Sequence, residues 1–153
     1  MKKNKIITLL IFISFIFLLG CSKDEVNEKK SIENPEENIS AWADPSVENI
    51  LISMNKEDYE SFSKDFSANM KNQLDKELFN EQLIPISELI GDYIKETKEL
   101  LTTEELEESN IKLIYSTDYS NEEKEVIITI VFNKDNKNVE GLFMNSEKIQ
   151  KMK

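Results

Sequence analysis

At Gly91 the spacing of apolar residues changes from three and four to two, and no other feature limits the fold as much. Before it, Val47, Ile50, Leu51 and Met54 make one helical stripe, and Tyr59, Phe62, Phe66 and Met70 make a second. Leu78, Phe79, Leu83, Ile86, Leu89 and Ile90 make a third. Asp44-Pro45 carries the signal of a helix start, with Asp as N-cap and Pro at the first helical position. The third helix is expected from Asp75. It should kink or restart at Pro85, whose ring lacks the N–H and crowds the preceding turn, and it should close at Gly91.

After Gly91 the pattern is that of strands. Tyr93 to Leu101 reads as a weakly patterned edge strand, and Thr102 to Glu105 has capping-box spacing, so Thr103 to Glu108 reads as a helical turn or a charged loop. Ile111, Leu113, Tyr115, Thr117 and Tyr119 alternate with Lys112, Ile114, Ser116 and Asp118, a strand with one drier face. Val126 to Phe132 and Val139 to Met144 complete a consecutive antiparallel meander. Val126, Ile128, Ile130 and Phe132 should face the helices, with Ile127 and Val131 on the other side. Because that run is apolar on both faces, something should cover the second face: the curl of the sheet, a ligand cavity or a second subunit. The expected fold class is α+β, N-terminal helices packed on a curled antiparallel sheet of three to four strands.

The start of the chain decides where such a domain works. Lys2, Lys3 and Lys5 precede the apolar run Ile6 to Leu19, then Gly20 and Cys21, in the order of a secretory signal peptide. The run is short of the ~20 apolar residues that a spanning helix needs. Leu18-Leu19-Gly20-Cys21 resembles a bacterial lipobox, with Leu19 bulkier than is usual there. The resemblance implies a diacylglyceryl group on Cys21, cleavage between Gly20 and Cys21, and extracytoplasmic anchoring to the cell membrane, which two acyl chains make stable. Cys21 is the only cysteine, so no disulfide within the chain is expected. The expected division is 1–20 signal peptide, 21–40 lipidated cysteine and disordered tether, and 41–150 one domain. The tether carries Pro35, dense charge and no aromatic residue, too little apolar surface to offset the entropy of ordering.

Composition excludes several functions. Removal of Lys2, Lys3 and Lys5 takes the formal net charge from −11 to −14, a surface that repels phosphates, so nucleic acid is not an expected partner. All nineteen basic residues are Lys and there is no His, which removes the Ser-His-Asp and Cys-His arrangements. Asn133 to Asn138 approaches calcium-loop spacing, but Lys137 falls at a ligand position and the central Gly is missing; it reads as a hairpin turn. Glu104, Glu105, Glu107 and Glu108 read as a solvated loop. No catalytic residue, metal or cofactor is expected. Asp92, Tyr93, Tyr115 and Tyr119 are the groups that could line the mouth of a cavity, where a Tyr could donate to a ligand oxygen and an Asp with a raised pKa could act as base. The rings also suit half-buried strand positions without any such role.

The order of elements resembles the cystatin-like, nuclear-transport-factor-two-like α+β roll. Asp58-Tyr59 with Phe62, Phe66 and Met70, the Gly91-Asp92-Tyr93 step, and Val131-Phe132, Lys134-Asp135 and Val139-Glu140-Gly141-Leu142-Phe143 resemble the domain-of-unknown-function 3887 family, over about Pro45 to Ser146. That resemblance implies an exported or lipid-anchored bacterial domain. Some relatives precede an α/β-hydrolase, whose activity is not expected here, since the sequence has neither a Gly-x-Ser-x-Gly elbow nor His. Two functions follow as expectations. One is a non-enzymatic envelope domain that binds a protein, a peptide or a small apolar ligand, with a homodimer through the sheet. The other is a small isomerase or dehydratase running on Asp and Tyr.

Overall fold

The computed structural model describes residues 35–152. Gly20, Cys21, the signal peptide and most of the expected tether lie outside the described residues. The described residues form a compact unit. It contains a continuous hydrophobic core made by its helices and one face of its sheet, and so has what it needs to fold alone.

A long helix, α1 (Pro35–Asn55), opens the described chain. Short helices follow: α2 (Tyr59–Phe62), α3 (Ala68–Gln73) and α4 (Lys76–Leu78), then a π-helical turn (Phe79–Leu83) and α5 (Ile84–Ile90). Strands β1 (Glu99–Glu105), β2 (Asn110–Thr117), β3 (Val126–Asn133) and β4 (Val139–Asn145) form one antiparallel sheet in sequence order, and α6 (Glu147–Gln150) closes the chain. The fold class is α+β, as the change of period at Gly91 implies.

Local chemistry explains most helix boundaries. Asp58 Oδ1 accepts from the Ser61 N–H at 3.2 Å, Ser67 Oγ from the Met70 N–H at 3.1 Å, and Asp75 Oδ1 from the Leu78 N–H at 2.9 Å. Each side chain takes up a backbone donor that the first helical turn leaves unpaired. At Pro85 the helix restarts, as the proline ring requires: α5 begins at Ile84 with Pro85 in its first turn. The preceding π-helical turn widens the backbone where the ring would meet the carbonyl four residues back. Val47, Ile50, Leu51 and Met54 are all buried, as their spacing requires.

Three expectations are corrected. The helix expected at Asp44-Pro45 begins at Pro35, so Pro35–Ser40, expected as the end of the tether, are helical and Pro45 lies inside α1. The reason is tertiary: Ile39 packs on the core, Ala43 is fully buried, and the Trp42 ring meets Phe132 edge-on with centroids 5.2 Å apart. These contacts offset the ~3 kcal/mol that an interior proline costs. The first strand runs over Glu99–Glu105, not Tyr93–Leu101, and the capping-box residues Thr102 and Glu105 lie within it. Pairing of Thr102 with Ile114 and of Thr103 with Leu113 along β2 outweighs the local helix signal. The stripe from Tyr59 to Met70 is split between α2 and α3, because Phe66 leaves helical geometry to bridge Val139.

Register settles the two faces of the sheet. Val126, Ile128, Ile130 and Phe132 are fully buried against the helices, and Ile127, Thr129 and Val131 point outward, half-buried. Asn133 closes the β3–β4 hairpin as a turn, its Oδ1 accepting from the Asp135 and Asn136 N–H groups at 3.1 and 3.2 Å.

Candidate functional site

Residues Gly91 to Tyr93 carry the chain from helix to sheet, and they place the first of the expected site residues. Gly91 has φ +84° and ψ −167°, a conformation essentially confined to glycine. A Cβ there would stand 2.2 Å from Ser120 Oγ and 2.7 Å from the Asn121 nitrogen. The side chain of Asn55, at the end of α1, then grips the Tyr93 backbone from both sides. Its Nδ2 donates to the Tyr93 carbonyl at 3.0 Å, and its Oδ1 accepts from the Tyr93 N–H at 2.9 Å. An isolated antiparallel bridge joins Tyr93 to Tyr119 just beyond the end of β2.

All three tyrosines lie on the helix-facing side, Tyr93 against Tyr119. Their relative exposures are 3% for Tyr93, 0% for Tyr115 and 2% for Tyr119, so their rings fill the space between sheet and helices. Two phenols donate to carboxylates one helical turn apart on α1: Tyr115 to Asp44 Oδ1 at 2.8 Å and Tyr93 to Glu48 Oε2 at 3.0 Å. Lys98 Nζ lies 3.4 Å from Asp44 Oδ1 and 5.2 Å from the Tyr115 ring centroid, so Asp44 holds a cation and a phenol together. The Tyr119 hydroxyl is buried with no partner among the described residues, its ring centroid 6.0 Å from that of Tyr93.

Electrostatics keep these phenols protonated. Burial, then the hydrogen bond and charge of Glu48, raise Tyr93 well above the ordinary phenol value of 10.0. Burial, then Asp44, does the same for Tyr115, and burial followed by proximity to Tyr93 does so for Tyr119. A protonated phenol is a donor, and two of the three already donate to the chain's own carboxylates. The arrangement joins α1 to the sheet.

Asp92 stands apart from this cluster. It is exposed, its N–H donates to Ser120 Oγ at 2.9 Å, and it lines an open groove of about 260 Å³ with Asn55, Ser87, Gly91, Ser120 and Asn121. None of the three tyrosines lines that groove. Sequence reasoning missed Glu48 and took Asp44 for a helix cap. Their spacing of four, beside the stripe of Val47, Ile50 and Leu51, was the available signal. Among the described residues no group of three or more acidic, Cys or His side chains is placed to hold a metal ion.

The outer face of the sheet has a different character. One row across it runs Thr102, Ile114, Thr129, Phe143; the next runs Glu104, Lys112, Val131, Gly141. Phe143 is 64% exposed. Lys112 pairs with Glu104, while the outward positions of β3 and β4 from Ile127 to Val131 and from Gly141 to Asn145 carry no charge. Among the described residues no helix is long and apolar enough to cross a membrane.

This geometry defines an α+β domain, helices on one face of an open four-stranded antiparallel sheet, with its tyrosines turned inward and an outer face that is uncharged along β3 and β4. The chain belongs to the family described as "Protein of unknown function (DUF3887)", whose model matches residues 47–142, more than half of its length. No curated protein and no solved structure matches it.

Proposed function

We propose that this protein is a lipid-anchored, extracytoplasmic interaction domain, non-enzymatic, that works through the outer face of its sheet. One observation carries the reading. The tyrosines suited to acid–base work in a roll are packed as core, Tyr115 and Tyr93 bonded to Asp44 and Glu48, and the exposed Asp92 lies apart from them in a separate groove, while a large apolar side chain, Phe143, stands in solvent on the opposite face. An exposed aromatic residue on the uncharged β3–β4 part of that face, in a chain of net charge −11, is the composition of a contact surface. The lipobox-like Leu18 to Cys21 supplies the anchor, and the acidic surface repels anionic headgroups, so the domain stands off the membrane.

Two measurements on the full chain test this. Cys21→Ala should move the protein from the membrane fraction to the medium or periplasm, and retention in the cytoplasm with an intact Met1 would refute the anchoring. A photo-crosslinking residue placed at 143 in intact cells should form adducts, while the same residue at exposed Glu77 on the helical side should not. Equal or absent labelling at the two sites would refute the role of the sheet.

A further inference from the structure

We infer that the groove beside Asp92 is a second binding site, which takes an aliphatic chain carrying ammonium groups, the chemistry shared by a free linear polyamine and a lysine side chain. This inference is independent of the outer sheet face. The groove lies at the helix-to-sheet step, where the end of α1, α5 and the segment after β2 come together.

Charge selects the sign of the ligand. Glu57, Glu88 and Asp92 line the groove and no basic residue does. None of these three pairs with a lysine among the described residues, whereas Asp44, Glu104, Glu105 and Glu147 each do. In a chain of net charge −11 such a groove repels carboxylates and phosphates and concentrates cations.

Acidic side chains are common on this surface, and Ser87 is what marks the groove as a site. It lies on α5, is only 8% exposed, and lines the groove. Its carbonyl accepts from the Gly91 N–H at 2.8 Å, but its hydroxyl bonds to no described residue. A polar group so nearly buried is ordinarily paired, and a serine without a partner brings no advantage inside a helix. Its oxygen is free to accept from an N–H donor in the groove.

The placement of the carboxylates selects the shape of the ligand. They do not converge as the ligands of a metal ion. Carboxylates spread along a groove suit a ligand whose donors can reach separate oxygens. An ammonium has three donors that turn freely, whereas a guanidinium presents a flat fork to a single carboxylate. Met54 and Ile84 supply apolar lining for the methylenes between charges. At about 260 Å³ the groove is smaller than the ~300–1,000 Å³ of a drug-sized ligand's pocket, which leaves room for a slim chain. Exposed ion pairs contribute little each, so binding is roughly millimolar and weakens with salt.

The test is titration of spermidine into the ¹⁵N-labelled domain from Pro35 onward at low salt, followed by amide shifts. Saturating shifts should be confined to residues 54–57, 84–92 and 120–121. Ser87→Ala should weaken binding at least about five-fold, as expected for a lost hydrogen bond to a charged group. Glu88→Gln and Asp92→Asn, at exposed positions where folding is not at stake, should each weaken it about two- to five-fold. Glu77→Gln, an exposed carboxylate on α4 outside the groove, should change nothing. Nα-acetyl-lysine methylamide, titrated in parallel, separates the two sources. Silence with this probe assigns the groove to free polyamines, and saturation through the same amides with the same dependence on Ser87 assigns it to a lysine side chain. Shifts that never saturate or that spread over the whole acidic surface overturn the inference, as does binding indifferent to Ser87→Ala, Glu88→Gln and Asp92→Asn.

Discussion

Replacing Gly91 by Ala should be among the most damaging single-methyl changes in this domain, and its size can be worked from two separable effects. The first is conformational: φ +84° with ψ −167° costs an L-residue ~1–3 kcal/mol. The second is crowding. The new Cβ would lie 2.2 Å from Ser120 Oγ, and moving that hydroxyl breaks its hydrogen bond from the Asp92 N–H, a loss of ~1 kcal/mol. The Asn121 nitrogen, 2.7 Å away, is backbone tied to the Ile90 carbonyl at 2.9 Å and yields less readily. Together these give about 2–4 kcal/mol, a large part of the 5–15 kcal/mol that holds a typical domain folded. Urea unfolding followed by the fluorescence of Trp42, the only tryptophan, reads it directly, since that ring packs on Phe132. Ser120→Ala removes the crowding hydroxyl, so the double variant should lose ~1 kcal/mol less than the sum of the single ones. A Gly91→Ala protein within about 0.5 kcal/mol of the parent, or strictly additive behaviour, would refute this account of the helix-to-sheet step.

Four further outcomes follow from the tyrosine cluster and its clamp. Tyr119→Phe removes a buried hydroxyl with no partner and should leave stability unchanged or raise it by ~1 kcal/mol in urea unfolding; Tyr115→Phe, which deletes the bond to Asp44, should lower it by ~1 kcal/mol. Asn55→Ala strips both hydrogen bonds from the half-buried Tyr93 backbone and should cost ~2 kcal/mol, with amide exchange accelerated at Tyr93 before it changes in β3. Because Tyr93, Tyr115 and Tyr119 all have phenol pKa values raised in the folded state, their contribution is complete below pH 10, where the unfolded chain keeps its protons too. It falls as pH rises above 10, where only unfolded phenols ionise. Phenolate absorbance should therefore show these three titrating together with alkaline unfolding, and independent titration of all three near pH 10 in a chain still folded would be the contrary result.

Reading the sequence succeeds where one face of an element is buried, because burial imposes a period that neighbouring residues must obey. Val126 to Phe132 shows this: the inward positions are fully buried and the outward ones half-buried, on the sides that alternation assigns. It fails where a local signal competes with a distant contact. Asp44-Pro45 has the chemistry of a helix start, but Trp42 and Ala43 are drawn into the core by Phe132 and its neighbours, and the helix extends back through them. Thr102 to Glu105 has capping-box spacing, but the open edge of β2 offers a ladder of backbone partners instead.

The candidate site divides the same way. The inward direction of Tyr115, and of Tyr119 two residues past the end of β2, follows from the alternation that begins at Ile111, whereas their setting does not. Asp44 lies 71 residues from Tyr115 and Glu48 lies 45 from Tyr93, and Asp92, adjacent to Tyr93 in the chain, opens on a different groove. Sequence alone thus determined the order of helices and strands and the buried face of each, because those depend on period and on turn chemistry within a few residues. Tertiary structure alone decided which carboxylates hold the phenols, where α1 begins, and that Phe143 and Gly141 share one outward face. Those depend on strand register and helix packing, which bring together residues that no local spacing relates.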